Sequence, residues 1–221
     1  MFSASLEQTL DRVSESMSSF PGAWSLCGGW AVDLWLGRQT RDHGDVDITI
    51  FSDDQAQLFE HLRDWNMVPH DAVTPDSREP WDGHPLVLPA HIHARPPGEV
   101  NRALLMRWVT PPHSQAMDGL DFDLVFNARE GDSWLLCSEP RVPVPLACIS
   151  GEGLTVPVVV PEVLLFYKAT AYWSLPGYPR EHDAADFNAL LPVLSLDGRE
   201  WLREAVSAVQ PDHPWLPLVR P

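Results

Sequence analysis

Between Leu6 and Met17 the apolar residues fall at Leu6, Leu10, Val13 and Met17, spacings that line one face of an α-helix. Pro21 and Gly22 interrupt the chain before Trp24-Ser25-Leu26-Cys27, a short apolar run that reads as a buried strand ending at Gly28-Gly29. Helical spacing resumes from Trp30 to Leu36, with Gly37 as its stop. The period then changes from Asp45 to Ile50. Val46, Ile48 and Ile50 share one face and Asp45, Asp47 and Thr49 the other, which predicts a strand with an acidic face. Leu120 to Phe126 repeats the pattern, with Asp121 and Asp123 opposite Leu120, Phe122 and Leu124.

Gln55 to Trp65 predicts another amphipathic helix. The segment from about Asp71 to Pro112 is rich in Pro, His and Arg and reads as loop, with short strands around Leu86–Leu88 and Ala103–Val109. Val142–Ile149 and Leu154–Val160 read as strands at a proline-punctuated edge. Pro161-Glu162 opens a helix running through about Trp173, and a linker containing Pro176, Gly177 and Pro179 follows. Asp183 starts a further helix, with Asp186 forming a capping-box-like pair and Phe187, Leu190, Leu191 and Leu194 as its buried stripe, which Pro192 shortens or kinks. The expected fold is α+β: a body over residues 1–158 with a mixed β-sheet flanked by helices, and a small C-terminal helical domain over 159–221.

Composition narrows the function classes. At 221 residues and 44% hydrophobic, the chain can bury a core in spite of its 22 prolines. A net charge of −16 argues against duplex nucleic acid as a partner and suits a small cationic substrate. No uncharged apolar stretch approaches the ~18 residues of a membrane span, and Glu7, Asp11 and Glu15 stand where a signal peptide would be basic and then apolar. Cys27, Cys137 and Cys148 are odd in number and widely spaced, so they read as small buried hydrophobes in a reducing compartment. A soluble cytoplasmic protein is expected. Of the 15 basic residues, Lys168 alone is lysine.

A strand, Gly-Gly, a helix and then Asp-x-Asp on a strand together answer one chemical need. A nucleoside triphosphate with a pair of magnesium ions requires several oxygen ligands on one side, and Asp45 and Asp47 supply two of them. Gly28 and Gly29 allow the backbone to approach phosphate closely at the start of a helix. A third carboxylate on a neighbouring strand holds metal or takes a proton; Asp121 is the choice, with Asp123 a further metal ligand two residues on.

Gly28-Gly29-Trp30-Ala31-Val32-Asp33, followed by Leu36-Gly37-Arg38-Gln39-Thr40-Arg41-Asp42-His43-Gly44-Asp45-Val46-Asp47-Ile48, closely resembles the GGWAxD…LGRxTRxHxDxD signature of antibiotic nucleotidyltransferases. The nearest families are the aminoglycoside 2''-adenylyltransferases and lincosamide nucleotidyltransferases, within the polymerase-β-like superfamily. Pro161 to Ala169 and Arg180 to Leu194 resemble the helical-domain stretches of these families more loosely, with His182 where relatives often have lysine. The resemblance implies a nucleotidyltransferase-type sheet and transfer of AMP from ATP to a hydroxyl of a small molecule, an aminoglycoside or lincosamide among them. It implies Mg2+ on Asp45, Asp47 and the acidic third strand, Gly28 and Gly29 as the phosphate-contacting turn, and Arg41 and Lys168 as candidate triphosphate contacts.

Each assignment has a plainer counterpart. Asp33 reads as a polar-face or helix-capping residue, and Arg38, Arg41 and His43 can pair with the surrounding carboxylates. His84, His91 and His93 lie near Asp82, but His91-x-His93 without Cys or a helical spacing is a poor zinc signature, and exposed loop histidines are expected. Trp81, Trp108, Tyr172, Trp173 and Tyr178 read as core or interface. The competing functions are a nucleotide-binding regulatory or antitoxin-like protein without transferase activity, and a His-based metal hydrolase built on residues 82–93. Neither the acceptor nor the oligomeric state is set by these patterns.

Overall fold

The computed structural model describes residues 4–98, 121–137, 139–149, 154–170 and 179–220. Its strands are β1 (Trp24–Leu26), β2 (Val46–Phe51), β3 (Asn66–His70), β4 (Ala90–Arg95), β5 (Phe122–Glu130), β6 (Ser133–Leu135) and β7 (Pro143–Pro145). The helices are α1 (Ala4–Met17), α2 (Gly28–Leu36), α3 (Gln55–His61), α4 (Pro161–Thr170), α5 (Glu181–Leu190) and α6 (Leu196–Val209).

The main sheet runs β1-β2-β5-β4-β3, and β6 and β7 extend the far end of β5. Among the described strands β2 and β5 pair in parallel and β1, β4 and β3 join antiparallel, so the sheet is mixed. Residues opposite one another across strands project to the same side. Val46, Ile48 and Ile50 therefore join Phe122, Leu124, Phe126, Ile92 and Ala94 on one buried apolar face. Burying a residue such as Ile48 or Leu124 contributes roughly 1.5–3 kcal/mol, and both are completely inaccessible. The core continues from Leu6 of α1 to Phe187 of α5, Leu202 of α6 and Val219. α2 packs on β2 and on α4 and α5, while α4 packs on α5 and α6. The result is an α+β fold, a mixed sheet flanked by helices with a helical C-terminal region.

Several boundaries differ from the sequence reading for local reasons. β1 stops at Leu26, and Gly28 and Gly29 form the first turn of α2, which begins two residues before Trp30. α3 stops at His61, and the chain re-extends as β3, the sheet edge, where Pro69 costs no internal ladder bond. No strand forms at Leu86–Leu88, where Gln55 exchanges two hydrogen bonds with the Leu86 backbone and Asp71 accepts from Val87 N–H. β7 passes into a 3-10 turn at Leu146–Ile149, and Leu154–Val160 contributes a single bridge, Leu26 to Val158. Asp183 and Asp186 do not cap α5: Arg180 is its N-cap residue, and both carboxylates are buried in ion pairs. Pro192 falls in a 3-10 turn after α5, and Ser195 then caps α6 by accepting from Gly198 N–H at 3.0 Å. The strand expected around Ala103–Val109, with Trp108, Tyr172, Trp173 and Tyr178, lies outside the described residues. Among the described residues no helix is long and apolar enough to cross a membrane, and Cys27, Cys137 and Cys148 are all free thiols.

Candidate active site

The polar face of the sheet gathers the chemistry. Asp47 of β2 stands directly opposite Asp123 of β5 in the parallel pair, and Thr49 and Asn127 follow on the same side. Asp45 immediately precedes β2 and is exposed, while Val46 N–H donates to Asp121 O at 2.7 Å where the two strands begin to pair. Burial, and after it the charge of Asp45, pushes the Asp47 carboxyl up to about 7, against the pull of Lys168, Arg41 and Arg180. Burial and the charges of Asp47 and Asp45 likewise hold Asp123 well above the ordinary carboxylate range. Asp123 Oδ1 is buried and meets no hydrogen-bond donor. Three mutually repelling carboxylates, one with an orphaned oxygen, form a donor set that fits a hard divalent cation.

Asp121 is engaged elsewhere. Its carboxylate is clamped by Nε and Nη2 of Arg95, a side chain that is itself almost fully buried. The sequence reading favours Asp121 as the third carboxylate, with Asp123 beside it; the register aligns Asp123 with Asp47 and gives Asp121 a guanidinium partner.

The turn into α2 is built against Asp47. Cys27 N–H donates to Asp47 O at 2.9 Å, and Gly28 adopts φ 65°, where a side chain is strained. A Cβ on Gly28 would overlap Oδ2 of Asp47, and one on Gly29 would overlap the His43 ring and come within 2.8 Å of Arg41 Nη2. The signature loop after α2 is tied down by Asp33, which is completely buried. Its Oδ1 accepts from Thr40 N–H at 2.9 Å and from Thr40 Oγ1 at 2.5 Å, and its Oδ2 lies 2.6 Å from His43 Nε2. The His43 ring rests 4.7 Å from that of Trp30. Asp33 is thus neither a helix cap nor a polar-face residue; it fixes the loop that carries Arg41, His43 and Asp45.

Beyond the acid centre lies a layer of cations backed by a second acidic pair. Lys168 Nζ reaches Asp186 Oδ2 at 2.7 Å and Asp183 Oδ1 at 3.4 Å, and it is buried. Arg41 Nη2 meets Asp186 at 3.3 Å, and Arg180 Nε meets Asp183 at 2.5 Å. Burial pushes the Asp183 carboxyl up, but Arg180, Lys168 and His182 overcome it and the net shift is downward. Lys168 and Arg41 therefore stand between two sets of carboxylates, close enough to Asp47 to lower its proton affinity. Below Thr49, Asn127 Nδ2 donates to Thr49 Oγ1 at 2.6 Å, and Asn127 Oδ1 accepts from Tyr167 OH at 2.8 Å and Cys137 N–H at 2.7 Å.

Of the loop histidines, His84 is exposed and pairs with Asp82 at 2.6 Å, whereas His91 and His93 lie on β4 beside His70 of β3. The sequence reading missed the parts played by Asp33, Arg95 and His70. Asp33 and Arg95 act through contacts seven or more residues away and His70 meets His91 and His93 across strands, so no local pattern marks them.

Residues 9–89, which include Gly28, Gly29, Asp45 and Asp47, match the family model described as aminoglycoside-2''-adenylyltransferase. The fold is similar to the solution structure of the antibiotic-resistance factor ANT(2'')-Ia, with TM-score 0.57 and 13% identity over 98% of this chain and 97% of that one. It is also similar to ANT(2'')-Ia crystallised with adenylyl-2''-tobramycin, at TM-score 0.53 and 14% identity over 94% and 99% of the two chains. The lincomycin-bound lincosamide antibiotic adenylyltransferase LnuA gives TM-score 0.50 and 15% identity over 87% and 99%. A search of curated proteins by sequence finds no significant match.

Proposed function

For a chain that resembles the antibiotic nucleotidyltransferase family in sequence and carries its fold, we propose a magnesium-dependent transferase that moves a nucleoside monophosphate, AMP from ATP, to a hydroxyl of a small-molecule antibiotic. The observation that carries this reading is the alignment of Asp47 with Asp123 across the parallel strands, with Gly28 closed against Asp47.

In this reading Asp45, Asp47 and Asp123 hold the magnesium. Bound there, magnesium would supply charge neutralisation of the triphosphate oxygens and of the attacked α-phosphoryl group. Gly28 and Gly29 leave room for phosphate at the N-terminus of α2, where backbone N–H groups favour anionic oxygen. Lys168 and Arg41, already placed between two acidic groups, would direct the departing pyrophosphate away from Asp47. The acceptor hydroxyl would lose its proton as its oxygen bonds to phosphorus and the bond from phosphorus to pyrophosphate breaks, and the ionised carboxylate of Asp123, beside Asp47 in the strand register, would receive it. Asp121, paired with Arg95, positions the start of β5. We assign residues 1–158 to the nucleotidyltransferase body and 159–221 to a helical domain that closes over the acceptor, in a soluble cytoplasmic protein. A net charge of −16 favours approach of a polycationic aminoglycoside over that of a neutral lincosamide.

The test is incubation with α-labelled ATP, GTP, CTP and UTP in turn, with magnesium and panels of aminoglycosides and lincosamides. Label moving into an acceptor, with pyrophosphate released, supports the proposal. Magnesium-dependent nucleotide binding with no labelled product from any combination would replace it with a nucleotide-binding regulatory protein of the same fold.

A further inference from the structure

His70, His91 and His93 come from two neighbouring strands and form a cluster that the nucleotidyltransferase chemistry does not use. His91 is opposite His70 in the β3–β4 pairing, and His93 is two residues along the same face. One ring nitrogen from each can be chosen so that all three lie within 4.8 Å of one another. The His70 and His91 rings stack with centroids 5.0 Å apart, and the His93 ring stands edge-on to both at 5.0 and 5.1 Å. Three imidazoles so close would repel one another if protonated. Burial, followed by the neighbouring imidazoles, pushes the pKa of His91 and His93 down to about 4, so both are neutral at physiological pH, the state in which imidazole binds metal.

His70 shows how such a site would be oriented. Its Nδ1 lies 3.1 Å from Pro75 O, and because a carbonyl only accepts, Nδ1 carries the proton. The lone pair is therefore on Nε2, which is buried and has no hydrogen-bond partner. A ring that donates one N–H to a backbone carbonyl and leaves its other nitrogen buried and unpartnered has the usual outer support of a metal-ligating histidine.

We propose that His70, His91 and His93 form a binding site for a borderline-soft divalent transition metal, Zn2+ in the first instance, distinct from the magnesium centre. Three nitrogen ligands leave a fourth position open on a zinc ion. Nitrogen donors here and oxygen donors at Asp45, Asp47 and Asp123 divide the two metals by their chemistry. The two sets share the polar face of the sheet, since His93 is directly opposite Asp123 in the β4–β5 pairing. An ion on the histidines would thus lie one strand beyond the acid centre and tie the edge strand β3 to β4. His84 and Asp82, which the sequence groups with His91 and His93, belong to an exposed pair and take no part.

The experiment titrates the chelator-treated full-length protein with Co2+ in excess Mg2+ and follows the visible d–d bands and the histidine imidazole NMR signals. One equivalent of Co2+ with the spectrum of a low-coordinate nitrogen site, displaced by Zn2+ and shifting three of the nine histidines, is the expected result. His91→Gln and His93→Gln each weaken binding about ten-fold or more, whereas His84→Gln and Asp47→Asn retain it. No bound Co2+, loss of the signal in Asp47→Asn, or unchanged affinity in both His91→Gln and His93→Gln would overturn the proposal. The NMR shifts in the unmodified chain decide the matter even if a variant fails to fold, and retention in Asp47→Asn separates this site from the transferase centre.

Discussion

A Cβ at position 28 would occupy the same space as Oδ2 of Asp47, so Gly28 and Asp47 can coexist only because position 28 has no side chain. The backbone there is also left-handed, which costs an L-residue about 1–2 kcal/mol. Gly28→Ala should therefore displace the Asp47 carboxylate and reduce both magnesium-nucleotide affinity and transfer by about ten-fold or more. Gly131→Ala is the control, with φ 56° but open space where its Cβ would go. It should lower stability alone. Calorimetry with magnesium-ATP and a denaturant midpoint on each variant separate the two effects.

Lys168 holds two buried carboxylates together, and Lys168→Met would leave Asp183 to Arg180 and His182 and Asp186 to Arg41. Breaking a buried ion pair from one side costs about 3 kcal/mol, and urea unfolding should show a loss of that order. Lys168→Arg should not restore stability, because a planar guanidinium does not fit the space of a compact ammonium. Full stability in Lys168→Met would show that the ion pairs contribute nothing.

His213 gives the fold a dependence on mildly acidic pH. Its ring is almost completely buried, its Nδ1 accepts from Trp215 N–H at 3.1 Å, and Trp215 stacks on Phe187 at 4.3 Å. Burial depresses its pKa from 6.5 to about 4. Between those values the unfolded chain binds the proton and the folded chain does not. Stability is therefore complete above about pH 6.5 and falls as the pH drops towards 4, by up to about 3 kcal/mol from this residue. His213→Asn, which keeps an acceptor but does not titrate, should flatten the dependence of the urea midpoint on pH in that window. An unchanged slope would assign the effect to other groups.

Much of this site was legible from one stretch of chain. The alternation of Asp45 to Ile50 marks β2 and its acidic face, and the Gly-Gly before Trp30 marks the close approach at α2. Period two does not choose between Asp121 and Asp123, because residues two apart share a face; the register with β2 places Asp123 beside Asp47, and Arg95 from β4 reaches Asp121. β3 and β4 were not legible. Pro69 and the histidines break the apolar alternation there, and an edge strand that shows polar residues on one face carries little hydrophobic signal. Lys168 stood out by composition, but its partners on α5 are set by packing of the helices and not by spacing. The buried anchor Asp33 was indistinguishable from a surface acid until Thr40 and His43 folded back on it.

In the proposed reaction Asp47 and Asp123 together hold the metal for nucleotidyl transfer, and Asp121 serves the fold through Arg95. The most direct measurement is the rate of label transfer from α-labelled nucleotide to an accepting antibiotic for the wild type, Asp47→Asn, Asp123→Asn and Asp121→Asn. Asp47→Asn and Asp123→Asn should each lose more than about a hundred-fold, beyond what removal of an outer-shell partner costs. Asp121→Asn should stay within about ten-fold of the wild type while losing about 1–3 kcal/mol of stability through the weakened contact to Arg95. Transfer that survives in Asp123→Asn and disappears in Asp121→Asn would contradict the assignment, and absence of transfer from the wild type with every nucleotide would contradict the function itself.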